Sequence, residues 1–177
     1  MTAGGGCNWS ATTSDPSMVT ITSGNGTGNG MVSFTVSANT ATTSREATIS
    51  VGPHTFRVLQ GAKFLDVGEG DLFYTEIGKL SARGVTSGCG GGNYCPGAPV
   101  LRDQMASFIL KALGEFNPPQ PAMQRFADVP PSNIFYAFID RMAVLGITAG
   151  CGGGNYCPSQ PVTRGQMAAF LVRAFNL

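Results

Sequence analysis

Gly88-Cys-Gly-Gly-Gly-Asn-Tyr-Cys-Pro96 recurs without change at Gly150 to Pro158, 62 residues further along the chain. Outward from this stretch the match runs without a gap from Phe64 on Phe126 to Leu113 on Phe175, with 25 identities in 50 positions. The C-terminal part is therefore a tandem duplication. Self-similarity at a fixed period marks a module built by stacking like units, more often structural or binding than catalytic.

The duplicated stretch carries four of the five cysteines, as Cys89/Cys95 and Cys151/Cys157, each pair bracketing five residues of which three are glycine. This spacing favours two local disulfides, Cys89–Cys95 and Cys151–Cys157, because glycine supplies the positive φ that a small ring demands. Closing so short a loop contributes roughly 2 to 2.5 kcal/mol and points to an oxidising compartment. The alternative is one four-thiolate zinc site shared by the repeats, although zinc hairpins generally place about two to four residues between ligands. Cys7 is the odd thiol, and the sequence leaves it buried, free or paired between molecules.

Apolar spacing places two helices in each copy, one on either side of the cysteine loop. Phe73, Ile77 and Leu80, matched by Phe135, Ile139 and Met142, form a core-facing stripe that stops at Gly84 or Gly146. Met105, Phe108, Ile109 and Ala112, matched by Met167, Phe170, Leu171 and Ala174, form a second stripe. Thr163 and Gln166 make a capping box for the last helix. Leu101 removes the hydroxyl cap in the first copy, a loss of about 1 kcal/mol unless another group substitutes.

The first 60 residues read differently. Met18 to Thr22, Met31 to Val36, Ala47 to Val51 and Thr55 to Leu59 alternate β-branched and polar residues, and glycine-, asparagine- and serine-rich turns separate them. Four strands of a small β-sandwich are expected. The fold class is thus multidomain β + α, with segments 1–61 (sandwich), 62–114 (first repeat), 115–125 (proline-rich linker) and 126–177 (second repeat).

Charge and composition exclude several functions. The net charge is +1 with 12% charged residues and no basic run, so nothing attracts nucleic acid or an anionic membrane. No apolar run is long enough to cross a bilayer. Met1-Thr-Ala-Gly-Gly lacks the regions of a signal peptide, so an exported protein would be present here in mature or trimmed form. His54, the only histidine, lies on an apparent turn, and no triad, histidine metal centre or phosphate-cradling Gly-Lys-Ser/Thr is present. The chain reads as non-enzymatic, with no cofactor and no metal.

Phe-x-Asp-Val at Phe64 to Val67 and Phe126 to Val129, Gly-Ile/Val-Thr-x-Gly, and Pro-x-x-x-Val-Thr-Arg resemble S-layer homology motifs over about 63–176. The resemblance implies two helix-loop-helix repeats on an exported protein that anchors non-covalently to cell-wall polysaccharide or peptidoglycan. The family's Thr-Arg-Ala-Glu signature matches as Thr163-Arg164-Gly165-Gln166 and, more loosely, as Leu101-Arg102-Asp103-Gln104. Family members commonly assemble three motifs, whereas two are visible here. Cys7-x-Trp9, Ser23-Gly with Gly28, Val36-x-x-Asn39, Arg45, Thr48-Ile49 and Val58-x-Gln60 resemble the BACON family of Ig-like domains over about 5–61, which implies company with carbohydrate-active surface proteins. Such sandwiches normally begin with one or two further strands before the Cys-x-Trp segment, so an edge open to another segment or subunit is expected.

The candidate ligand residues follow. Arg102 and Arg164 have guanidinium forks suited to a carboxylate or phosphate on a wall polymer, beside Thr163, Gln104 and Gln166 at helix starts whose amides also favour anions. The alternative is a structural ion pair of each arginine with Asp66 or Asp128. Asn93, Tyr94, Asn155 and Tyr156 could stack on and hydrogen-bond sugars at the loop tip, or simply form the turn. Trp9 is either a sugar platform or core. The leading reading is a wall-anchoring, glycan-binding cell-surface module. The alternative is a self-assembling subunit of an extracellular filament or lattice, with copies of itself or other surface proteins as partners.

Overall fold

A computed structural model describes residues 5–177. Six strands come first: β1 (Asn8–Thr13), β2 (Val19–Ser23), β3 (Asn25–Thr27), β4 (Ser33–Val36), β5 (Arg45–Val51) and β6 (His54–Gln60). Four of them fall on the alternating stretches read from the sequence; β1 and β3 do not. β1 is a run of Asn, Ser and Thr with one Trp and one Ala, and β3 lies inside the glycine-rich run read as turn. Backbone ladder bonds hold both, and those need no apolar alternation.

All pairings are antiparallel, in a four-stranded sheet of order β3-β1-β5-β6 and a two-stranded sheet of β2 and β4. Met18, Val19, Ala47 and Ile49 are buried together, with Ala11, Ile21, Val32 and Val58 packed around them, so the core draws on both sheets. Gly52-Pro53 joins β5 to β6 as a two-residue turn, with Gly52 at φ 56°. Arg45 ties the sheet to the preceding loop, donating from Nε to Gln60 Oε1 at 2.9 Å and from Nη2 to the Ser37 carbonyl at 2.7 Å.

Four helices follow: α1 (Tyr74–Ala82), α2 (Arg102–Ala112), α3 (Tyr136–Val144) and α4 (Arg164–Phe175). The chain divides into two compact units, the first ending at Pro96 and the second covering Gly97–Leu177. The division falls inside the first copy of the duplication. In the first unit α1 packs against β6, and Phe64, Val67 and Ile77 form a small core with Ala62 and Tyr94 beside it. In the second unit α2 packs chiefly on α3 and also meets α4. Its core joins Met105, Ile109 and Leu110 of α2 to Tyr136, Ile139 and Met142 of α3 and Phe170 of α4.

Both first helices end as their glycines predict. Gly84 and Gly146 take φ near 70°, and the amides of Val85 and Ile147 turn back to the carbonyls of Leu80 and Met142. The apolar stripe is buried more completely in the second copy, where only Phe135 stays partly exposed. Ile77 is buried in α1, but Phe73 and Leu80 are exposed, whereas Ile139 and Met142 are enclosed by α2. The stripe is the same; what differs is the neighbour.

Candidate ligand-binding site

Each cysteine loop is built by a succession of positive-φ residues. Gly88, Gly90, Gly91, Gly92 and Cys95 all have φ between 59° and 111°, and Gly150, Gly152, Gly153, Gly154 and Cys157 repeat the pattern. A side chain at Gly88 or Gly150 would also collide with the Asn93 or Asn155 carbonyl. The amides of Cys89 and Cys151 donate to those same carbonyls at 2.8 Å. Disulfides close both loops, Cys89 to Cys95 and Cys151 to Cys157, and Cys7 is exposed and free.

The Phe-x-Asp-Val motifs prove to be loop latches. Asp66 accepts hydrogen bonds from the Tyr94 and Cys95 amides at 2.7 Å, and Asp128 accepts from the Tyr156 and Cys157 amides at 2.8 and 2.7 Å. The Phe64 ring packs tilted on Tyr94 at 5.3 Å, and Phe126 on Tyr156 at 5.5 Å. The Tyr94 amide chiefly holds the Asp66 carboxyl below its ordinary value of 3.8; desolvation opposes it, and the Cys95 amide adds to the lowering. No arginine is within ion-pair distance of either aspartate among the described residues, so the Arg–Asp pairing weighed from sequence does not form. The signal that could have found the latch is the fixed spacing of 28 residues between Asp66 and Tyr94, repeated between Asp128 and Tyr156.

Arg102 and Tyr156 are brought together by a reciprocal pair of bonds. Arg102 Nε donates to the Tyr156 carbonyl at 2.8 Å, and the Tyr156 hydroxyl donates to the Arg102 carbonyl at 2.7 Å. The guanidinium carbon lies 4.9 Å from the Tyr156 ring centre and 5.4 Å from that of Phe170, inside cation–π range. Arg102 is 2% exposed and Tyr156 0%, so neither stands at a loop tip. Burial pushes the Tyr156 hydroxyl far above its ordinary value; the Arg102 charge opposes the shift and Asp103 adds to it. Arg102 Nη2 is buried with no acceptor, a donor whose desolvation goes uncompensated.

The remaining candidates sit at helix starts or on the other loop. Gln166 Oε1 accepts from the Thr163 amide at 3.1 Å and Thr163 Oγ1 from the Gln166 amide at 3.2 Å, closing the capping box. At α2 only half the box survives, Gln104 Oε1 accepting from the Leu101 amide at 3.0 Å. Other groups replace the missing hydroxyl: the Arg102 and Asp103 amides donate to the Gln160 and Pro158 carbonyls at 2.9 and 3.1 Å, and Asp103 Oδ1 takes the Gln104 amide. Arg164 is exposed, and its side chain has no partner among the described residues. Asn93 and Tyr94 are half-buried in the first unit, as is Asn155 in the second.

Trp9 lies half-buried against Gly26 and Gly30, where any side chain would strike its ring, and its indole donates to the Gly28 carbonyl at 2.9 Å. For metals, Asp128, Cys151 and Cys157 place their ligand atoms within 4.8 Å of one another. Both sulfurs are committed to the disulfide, so the donor set offers no thiolate. No helix among the described residues is long and apolar enough to cross a membrane.

The model of the S-layer homology domain matches two segments of the chain, residues 63–106 and 125–168. The chain is also similar to a cell surface protein of Thermoanaerobacter kivui, 29% identical over 116 residues. That alignment covers 64% of this chain and 15% of the relative's length.

Proposed function

We propose that the chain is a non-catalytic, exported module that anchors to the cell wall by binding its polysaccharide or peptidoglycan through the two segments that match the S-layer homology domain. The observation that carries this reading is the match at 63–106 and 125–168, together with a relative named for the cell surface. Two disulfides suit an oxidising exterior.

The ligand chemistry we assign is an anionic sugar substituent. Arg164 is exposed at the first turn of α4, beside a cap made by Thr163 and Gln166, where a guanidinium and helix-start amides favour a carboxylate or phosphate. The unsatisfied Arg102 Nη2 is a second donor that an acceptor reaching α2 would pair. We assign the half-buried Tyr94, with Asn93 beside it, to a sugar face, and Asn155 as the matching amide in the second loop. We read the two sheets of the first unit as an Ig-like sandwich of BACON type with a glycan-binding role of its own. A second reading, a structural subunit of a filament or lattice, is favoured by the exposed apolar residues of α1 and α4.

Co-sedimentation with purified wall sacculi tests the anchor. The wild-type chain should pellet with the walls, and Arg164→Ala, which alters an exposed side chain, should weaken retention by about tenfold or more. A wild-type chain that stays in the supernatant with intact walls rules out anchoring. Retention of Arg164→Ala and of the Arg102→Ala/Arg164→Ala double variant equal to that of the wild type moves the site away from the arginines.

A further inference from the structure

The duplication gives every surface of one copy a counterpart in the other, and the fold uses some of them only once. α2 and α3 meet face to face inside the second unit. The counterpart of α2 is α4 and the counterpart of α3 is α1, 62 residues away in each case. Ile109 and Leu110 on α2 are 3% and 0% exposed, whereas Leu171 and Val172 at the same places on α4 are 37% and 48% exposed. Tyr136 and Met142 on α3 are 6% and 0% exposed, against 39% and 40% for Tyr74 and Leu80 on α1. The polar contact repeats the pattern. Arg102 enters the second cysteine loop and bonds the Tyr156 carbonyl, while Arg164 has no side-chain partner and Tyr94, in an identical loop, receives no arginine among the described residues.

We infer that the α4 face of one molecule docks on the α1 face of a second copy of this chain, repeating between molecules the α2–α3 packing found within one, with Arg164 entering the neighbour's Tyr94 loop. The two faces differ, so the contact is head-to-tail: it leaves one free face at each end and propagates, to a ring if the rotation closes and to a filament if it does not. Leucine, valine and tyrosine withdrawn from water supply the drive, and the arginine–carbonyl bond with aromatic stacking sets the register. The inference rests on the filament reading; it takes up Arg164 and the Tyr94 loop, so a wall ligand would compete for them, and it survives if wall binding fails.

Sedimentation velocity on the full chain decides it, in a Cys7→Ser background that removes thiol-linked dimers. The wild type should form a concentration-dependent series of oligomers at up to about 100 µM, the range in which a modest interface is populated. Leu80→Glu removes the α1 face and Leu171→Glu the α4 face; both positions are exposed, and unchanged circular dichroism and melting confirm the fold. Each variant alone should lose association by at least about tenfold. An equimolar mixture of the two should recover a dimer and nothing larger, because one intact face of each kind remains. A wild type that stays monomeric over the whole range overturns the inference, since the faces are then covered within one chain or by something else. Variants that dimerise alone as well as the wild type does, or a mixture that stays monomeric, overturn it equally.

Discussion

At the residue scale, identical letters at positions 62 apart take different roles. Arg102 and Arg164 share the motif position, yet Arg102 is enclosed by Tyr156 and Phe170 and Arg164 stands in solvent. A sequence shows the guanidinium and its neighbours in the chain; it does not show whether a loop 54 residues away will cover it. The position of Asp66 suits a cap or an arginine partner, and the partners it takes are the Tyr94 and Cys95 backbone amides. That arrangement sets a pH dependence. The folded carboxyl is held below 3.8, so its contribution is complete above about pH 4 and is lost as pH falls through the lowered folded value. Amide exchange at Tyr94 and Cys95, followed by NMR, should accelerate below that range. Asp66→Asn should bring the acceleration to neutral pH, and unchanged exchange in that variant would show that the latch does not hold the loop.

At the scale of elements, helix ends were the most readable feature. Thr163 and Gln166 form the box that their spacing announces, and Gly84 and Gly146 end their helices in the left-handed region. Thr163→Ala should destabilise the second unit by about 1 kcal/mol in urea unfolding, whereas Leu101→Thr should gain clearly less than that. The reason for the asymmetry is tertiary: the Pro158 and Gln160 carbonyls and the Asp103 carboxylate already take the amides that a Thr hydroxyl would compete for at α2. A gain of a full 1 kcal/mol from Leu101→Thr would mean that these substitutes contribute little. Strands were half legible. β2, β4, β5 and β6 alternate and were found; β1 and β3 are polar or glycine-rich, and only the ladder that pairs Asn8 with Thr27 and Ala11 with Val51 reveals them.

At the scale of the whole molecule, the disulfides are expected to add to the aspartate latches and the aromatic packing of each loop, because five of the residues between Gly88 and Cys95, and as many between Gly150 and Cys157, adopt positive φ and would be free to leave it in an open chain. Reduction should remove roughly 2 to 2.5 kcal/mol per bond and lower Tm by several degrees. Calorimetry with and without a reductant checks this, and equal melting curves would show that the Asp66 and Asp128 latches hold the loops unaided. Local chemistry in the sequence by itself determined the tandem repeat, the four helices with the glycine stop of the first in each copy, and the β character of the first 60 residues, and it favoured two local disulfides over a shared zinc site. Those properties depend on period, spacing and turn-forming residues, all of which are visible along one chain. Only the tertiary structure decided that the first copy is divided between two compact units, that Arg102 and Tyr156 lock together in the interior, and that α1 and α4 keep exposed the faces that α3 and α2 bury. Burial depends on which neighbour arrives across the fold, and two copies with half their residues identical carry no mark of which will receive one.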